Sequence, residues 1–288
     1  MNFYQYLLAI QEGKVINFKR FLTLLPEPHK QRWRDIFRPS NTTGRDIYNV
    51  TIIDQACFCQ LLEVATPSNS RAEAAIKGNS HQHNSSMSFV LVFPDALNQQ
   101  KWQKQPRCPE VVVCDNTGLS LTFKAQKTLL VIENQENFFR YQEFITALSP
   151  LLNGESEQID IAFGHGNSIT NRLHADFFAQ YQHVLCCFDY DLGGLTMFST
   201  LLTLFKSHGI QAKATFIQPS KAQLNNNDFL TAYFKKTPEK VQNWQQAILL
   251  ANQLNFSDLA NAFNRTKKFM EQEVYLSRSI TEFIKNQA

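Results

Sequence analysis

Three acidic side chains stand where apolar runs stop. Thr128-Leu-Leu-Val-Ile ends on Glu133, and Val184-Leu-Cys-Cys-Phe ends on Asp189-Tyr-Asp191, with Leu192-Gly193-Gly194 directly behind. A further apolar run, Ile159 to Phe163, closes on Gly164-His165-Gly166. Carboxylates crowded at one strand edge repel one another and lose hydration unless a cation offsets them. Hard oxygen donors with room for water suit Mg²⁺ or Mn²⁺, and an ion held this way activates a nucleophile and offsets charge on a phosphodiester. One aspartate before a helix would serve as an ordinary N-cap; two of them plus an aligned Glu133 favour the metal. Removing one crowded carboxylate is therefore expected to leave stability unchanged or raise it.

Lesser candidates surround these acids. The glycines Gly164 and Gly166, set before a helix, would let backbone N–H groups meet an anion, with a plain strand-to-helix turn as the alternative. His165 would polarise a phosphate or assist a proton transfer. Glu136 lies about one helical turn from Glu133 and would join the metal shell, as would Glu271 and Glu273 from a C-terminal helix. The same residues also fit a solvated face.

The elements that must position these groups follow from the apolar pattern. Continuous β-formers without polar alternation indicate strands buried on both faces, as in a parallel sheet. Residues 137–152, 169–181 and 195–205 carry apolar side chains at helical spacing, and 212–217 reads as a fourth strand. Alternating strands and helices with short connections give an α/β unit, whose ligands bind beyond the carboxyl ends of the strands. Along extended chain, i and i+2 face the same side, so Asp189 and Asp191 can both face the Glu133 strand.

Glu133, then Asn137-Phe138, then Gly164-x-Gly166, then Asp189-x-Asp191-x-x-Gly194 resembles the Toprim family. It is most similar to the variety in topoisomerase VI A subunits and in the JetD nuclease subunits of Wadjet-type SMC plasmid-defence systems. Met270-Glu271-Gln272-Glu273 is similar to a Glu-Gln-Glu stretch late in that family. The resemblance covers residues 125–288 and implies a Toprim catalytic domain with C-terminal helices, a Mg²⁺- or Mn²⁺-dependent DNA endonuclease, double-stranded plasmid DNA and SMC-complex subunits as partners, and a homodimer. It also implies that residues 1–124 form a smaller α+β, winged-helix-like DNA-binding domain. Two non-nuclease readings stay open: a DNA-binding or assembly subunit with a vestigial site, and an unrelated α/β nucleotide-binding domain. The latter lacks a glycine-rich phosphate loop, and Gly164-x-Gly166 is too short for a dinucleotide fingerprint.

Charge distribution bears on the N-terminal region. Net charge is +3, too mild to indicate nucleic acid by itself. The first forty residues nevertheless gather Lys14, Lys19, Arg20, Lys30, Arg32, Arg34 and Arg38, an arrangement suited to gripping phosphates away from where they are cut. Residues 2–11 and 15–25 read as amphipathic helices, the second ended by Pro26. Gln31 to Arg38 reads either as a DNA-facing helix or as a solvated helix with Trp33 and Phe37 packed inward. Residues 88–93, 111–114 and 119–123 read as strands forming a small β-wing. Arg71 and Lys77 flank a polar loop that would touch a DNA backbone. His81 and His83 in that loop lack a third ligand at suitable spacing.

Chemistry and compartment are constrained as well. No tyrosine lies between 49 and 140, the interval in which a topoisomerase VI-like nucleophile should fall; Tyr48 is the nearby candidate. Water as nucleophile, with Glu133 as base, is the favoured expectation. No run of eighteen apolar residues is present, and the N-terminus lacks a charged and apolar signal pattern. The six cysteines form no Cys-x-x-Cys pair. A cytoplasmic protein of bacterial type is expected.

Overall fold

Local signals in the first residues of the chain set its first helices. Asn2 accepts a hydrogen bond from the Gln5 backbone N–H at 2.9 Å, and the Gln5 side chain accepts from the Asn2 N–H at 2.9 Å. This reciprocal capping box starts the helix Phe3–Gln11. The computed structural model describes residues 1–41, 46–67, 75, 85–97, 108–152 and 158–285. Contacts divide it into two units, Met1–Ser85 and Ser86–Ala288.

In the first unit, strand β1 (Ile16–Asn17) leads into the helix Phe18–Leu24, capped by Asn17. Two single-turn helices follow, Glu27–Lys30 and Trp33–Ile36, then β2 (Phe37–Asn41), β3 (Ile47–Ile52) and the helix Gln55–Ala65. The sheet is antiparallel in the order β1-β3-β2. Phe21, Phe37 and Phe58 stack edge-on through its core, with centroids 5.2 and 6.2 Å apart. The expected helix over 31–38 is thus cut short, and Arg38 belongs to β2. Pro39 explains this: it disfavours helical backbone in the residue before it and is tolerated on an edge strand.

The second unit is built on a seven-stranded mixed sheet. Its strands are β4 (Met87–Phe93), β5 (Glu110–Asp115), β6 (Gly118–Ser120), β7 (Thr128–Ile132), β8 (Ile159–Phe163), β9 (His183–Cys187) and β10 (Lys213–Phe216), in the order β10-β9-β7-β8-β4-β5-β6. The four strands β10, β9, β7 and β8 are mutually parallel. Every residue of β7 is buried, as its unbroken apolar sequence demands.

The expected wing belongs elsewhere. Strand β4 pairs antiparallel with β8 through Val92↔Ala162 and Phe93↔Ile161, and β5 and β6 continue outward from it. Val90, Val92, Phe93, Val112 and Cys114 pack into the same core as β7. The boundary therefore falls at 85/86 rather than 124/125, and the sheet is mixed rather than all parallel. Burial of β4 and β5 against the parallel strands is what draws them in.

Helices cover this sheet with more breaks than periodicity suggests. The span 137–152 splits at Arg140 into Gln135–Phe139 and Tyr141–Leu148. The span 169–181 is two 3₁₀ turns and a short helix, Ala175–Phe178. The long helix Leu192–His208 ends on Gly209 at φ 65°, the left-handed C-terminal stop that glycine permits. Near the C-terminus, the helix Ser257–Thr266 stops at Lys267, also left-handed at φ 53°. The chain then extends, makes isolated bridges Lys236↔Phe269 and Tyr190↔Met270, and turns through a 3₁₀ segment, Gln272–Leu276. Among the described residues, no helix is long and apolar enough to cross a membrane.

Candidate acidic site

The acids gather where the chain changes direction across the sheet. From β7 it crosses to β8 on one side, then back to β9 on the other, and the crevice at such a reversal is the usual ligand position of an open α/β sheet. Glu133 is the first residue past β7, with its N–H on the Cys187 carbonyl at 3.0 Å. Its Oε2 reaches across to accept the Asp189 backbone N–H at 3.0 Å. On the other flank the Gly164 N–H donates to the Ile132 carbonyl at 2.7 Å. A Cβ on Gly164 would lie 3.2 Å from the Glu133 Cα, so a small residue keeps β8 close to the acid.

Asp189 and Asp191 divide their oxygens in the same way. Oδ1 of Asp189 accepts the Gln272 backbone N–H, and Oδ1 of Asp191 accepts the Gly194 N–H, both at 2.9 Å. Oδ2 of each faces the Lys236 ammonium, at 3.3 and 3.0 Å respectively. Glu271 Oε1 completes the ammonium's surroundings at 3.1 Å. Asp191 is therefore both the N-cap of Leu192–His208 and a site acid, alternatives that the sequence posed against each other. Gly194 has a steric reason for its place in the motif: a Cβ there would sit 2.1 Å from the Asp189 carbonyl oxygen.

Electrostatics follow from crowding out of water. Burial pushes Glu133 up to about 7, and the Asp189 and Asp191 charges add to the rise against the Asp189 N–H and Lys236. Asp189 is also raised by burial, which outweighs the Gln272 N–H and Lys236. Burial favours the neutral form of Lys236, yet Asp191, Asp189 and Glu271 more than reverse this and hold it cationic. Glu273 is raised by burial; its Oε1 accepts from the Asn134 side-chain amide, which brings it beside the cluster from the 3₁₀ turn rather than from a helix.

Other expected residues lie apart from the acids. Glu136 is exposed and pairs with Arg140 at 3.2 Å, because its position on the first turn after Asn134 points it to solvent; it does not join the site. His165 is exposed, left-handed at φ 41°, and stacked on Phe163 at 5.4 Å. With Ser168, Ile169 and His174 it lines a small cavity. Gly166 is also left-handed at φ 57°, but it opens a five-residue 3₁₀ segment, Gly166–Thr170, rather than the expected α-helix. In the first unit Arg32 pairs with Asp35 at 3.1 Å, Arg34 lies 4.7 Å over the Trp33 ring, and Arg38 is exposed. Tyr48 is half-buried against Phe18 at 5.9 Å. Arg71, Lys77, His81 and His83 lie outside the described residues.

Lys236 is the participant that sequence reasoning missed. It sits in Phe234-Lys-Lys-Thr-Pro238, a helix boundary with no motif; the one available signal was the unbalanced charge of the acids, assigned to a metal. The all-oxygen donor set suits Mg²⁺ or Mn²⁺ chemically, and the Lys236 ammonium supplies the positive charge beside Asp189, Asp191 and Glu271. Among the described residues, however, no three Asp, Glu, His or Cys side chains converge as a ready-made metal cage. No protein-family model, curated protein or solved structure matches this chain.

Proposed function

We propose that this chain is a divalent-metal-dependent DNA endonuclease of Toprim type, the cleaving subunit of a Wadjet-like SMC anti-plasmid complex. One observation carries the reading: beyond the carboxyl ends of neighbouring parallel strands, Glu133 accepts the Asp189 backbone N–H, and Asp189 and Asp191 share the Lys236 ammonium. Mg²⁺ or Mn²⁺ would be held by Glu133, Asp189 and Asp191, with Glu273 alongside, and would supply nucleophile activation and charge neutralisation at the phosphate. Glu133 would take a proton from an attacking water.

Several features support hydrolysis over tyrosyl transfer. Tyr190 and Tyr275, the tyrosines nearest the acids, are fully buried with their hydroxyls 3.3 Å apart, and burial disfavours their ionised forms. The succession helix, strand, helix, short helices and hairpin in residues 1–65, with the order β1-β3-β2, is compatible with a winged helix that would present Arg34 and Arg38 to DNA. A two-fold dimer would set one acidic site against each strand of a duplex.

Lys236 favours a second reading, a DNA-binding or assembly subunit whose acids are structural. Nicking of supercoiled plasmid by wild type, Asp189→Asn and Asp191→Asn, with and without Mg²⁺ or Mn²⁺, separates the two. Divalent-dependent nicking lost in both variants supports the nuclease. DNA binding without cutting, together with no cation between Glu133 and Asp189 in Mn²⁺-soaked crystals, selects the second reading.

A further inference from the structure

We propose that Lys236 is the resident counter-ion of the acidic site, and that a divalent cation binds there only by expelling it. The inference rests on reading the cluster as a cation site and adds who holds it first. The division of oxygens carries the argument. Each Oδ1 of the aspartates is committed to a backbone N–H, Gln272 for Asp189 and Gly194 for Asp191. What remains directed at the centre is the pair of Oδ2 atoms, and both are taken by the Lys236 ammonium, at 3.3 and 3.0 Å. A metal and the ammonium therefore need the same two atoms, and like charges at such separations repel strongly away from bulk water.

The lysine is delivered by backbone rather than by a wandering side chain. Lys236 and Phe269 exchange N–H···O bonds of 3.1 and 2.9 Å, while the adjacent Met270 exchanges bonds of 3.0 and 3.3 Å with Tyr190, the residue between the two aspartates. One short segment thus fixes the root of Lys236 relative to both acids. The tip is free to leave: its side chain is 35% exposed, against 18% and 15% for Asp189 and Asp191, and its four-carbon stem is flexible. Expulsion leaves the aspartates where they are and swings the ammonium into solvent.

The test measures Mn²⁺ binding by the electron paramagnetic resonance signal of free ion, with the full chain as wild type, Lys236→Met, Lys236→Gln and Asp191→Asn. Roughly tenfold tighter Mn²⁺ binding is expected in both lysine variants, given the close like-charge contact removed. Amine acylation of the wild type, read by mass spectrometry at Lys236, is expected to rise severalfold on adding Mg²⁺. Unchanged or weaker Mn²⁺ binding in the lysine variants, or acylation of Lys236 indifferent to Mg²⁺, overturns the proposal. If Asp191→Asn still abolishes Mn²⁺ binding in that case, only the exclusion falls. If neither wild type nor lysine variants bind Mn²⁺, or Asp191→Asn binds as wild type does, the cation-site reading falls with it.

Discussion

Replacing Asp191 by alanine should destabilise the metal-free protein, against the expectation that thinning crowded carboxylates is harmless. Two losses compete with one gain. The Gly194 N–H loses its acceptor at 2.9 Å, and removing an Asp N-cap costs about 1 kcal/mol, within a range of about 0.5–2. Lys236 loses its 3.0 Å partner but keeps Asp189 and Glu271; with that ammonium partly in water, the loss is at most about 1 kcal/mol. The gain is relief of Glu133, which the Asp191 charge pushes upward, though less than burial does. The net is a loss of about 1 kcal/mol, or a melting point lower by roughly 2–4 °C for a unit of this size. Asp191→Asn keeps a good capping oxygen, so it should melt close to wild type while losing the charge that faces Lys236. Circular dichroism melts in EDTA measure both. Asp191→Ala melting at or above wild type, or together with Asp191→Asn, would refute the assignment of the cap.

Glu133 should make the metal-free protein less stable as pH rises. Its folded value of about 7 lies above the ordinary 4.5, so between these the folded state binds more protons than the unfolded one and stability falls across that window. Melting Glu133→Gln from pH 4.5 to 8 should show a flatter profile than wild type, and an unchanged slope would place the effect elsewhere. Gly194→Ala should lose about 1–3 kcal/mol by overpacking, since its Cβ would meet the Asp189 carbonyl oxygen at 2.1 Å; denaturant melts with unchanged stability would contradict that contact. Tyr48→Phe should cut plasmid like wild type, and detergent-quenched reactions should show no DNA attached to the chain; a mass shift on Tyr48 would instead establish tyrosyl transfer.

How far the sequence spoke depended on whether a residue's role was local. Glu133, Asp189 and Asp191 were legible because each terminates an apolar strand, and strand periodicity places such ends at one edge of a sheet. Asn17 was passed over: it caps the helix Phe18–Leu24 through the Arg20 N–H, inside the span 15–25 that apolar spacing reads as one helix. The membership of β4 and β5 was not legible, because short apolar runs fit a wing or a sheet extension equally, and the pairing Val92↔Ala162 that decides it spans a long stretch of chain. Glu136 misled because helical spacing fixes distance along the axis but not which way the turn after Asn134 faces. Lys236 was invisible for the most physical of reasons: its role depends on bridges to Phe269, and no local pattern announces an isolated bridge.

The segment Phe269–Glu273 has a consequence for the order in which the protein comes into being. It supplies the backbone N–H that Asp189 accepts from 83 positions away, the partner strand for Tyr190 and the seat of Lys236. Strands β7 to β10 can pair as soon as they emerge from the ribosome, and at about 5–20 residues per second they precede that segment by several seconds. During that interval the carboxylates exist without their closure, their counter-ion unplaced. Whatever chemistry the acids perform is thus assembled late in synthesis, and a chain interrupted before residue 269 carries the signature residues without the arrangement that gives them meaning.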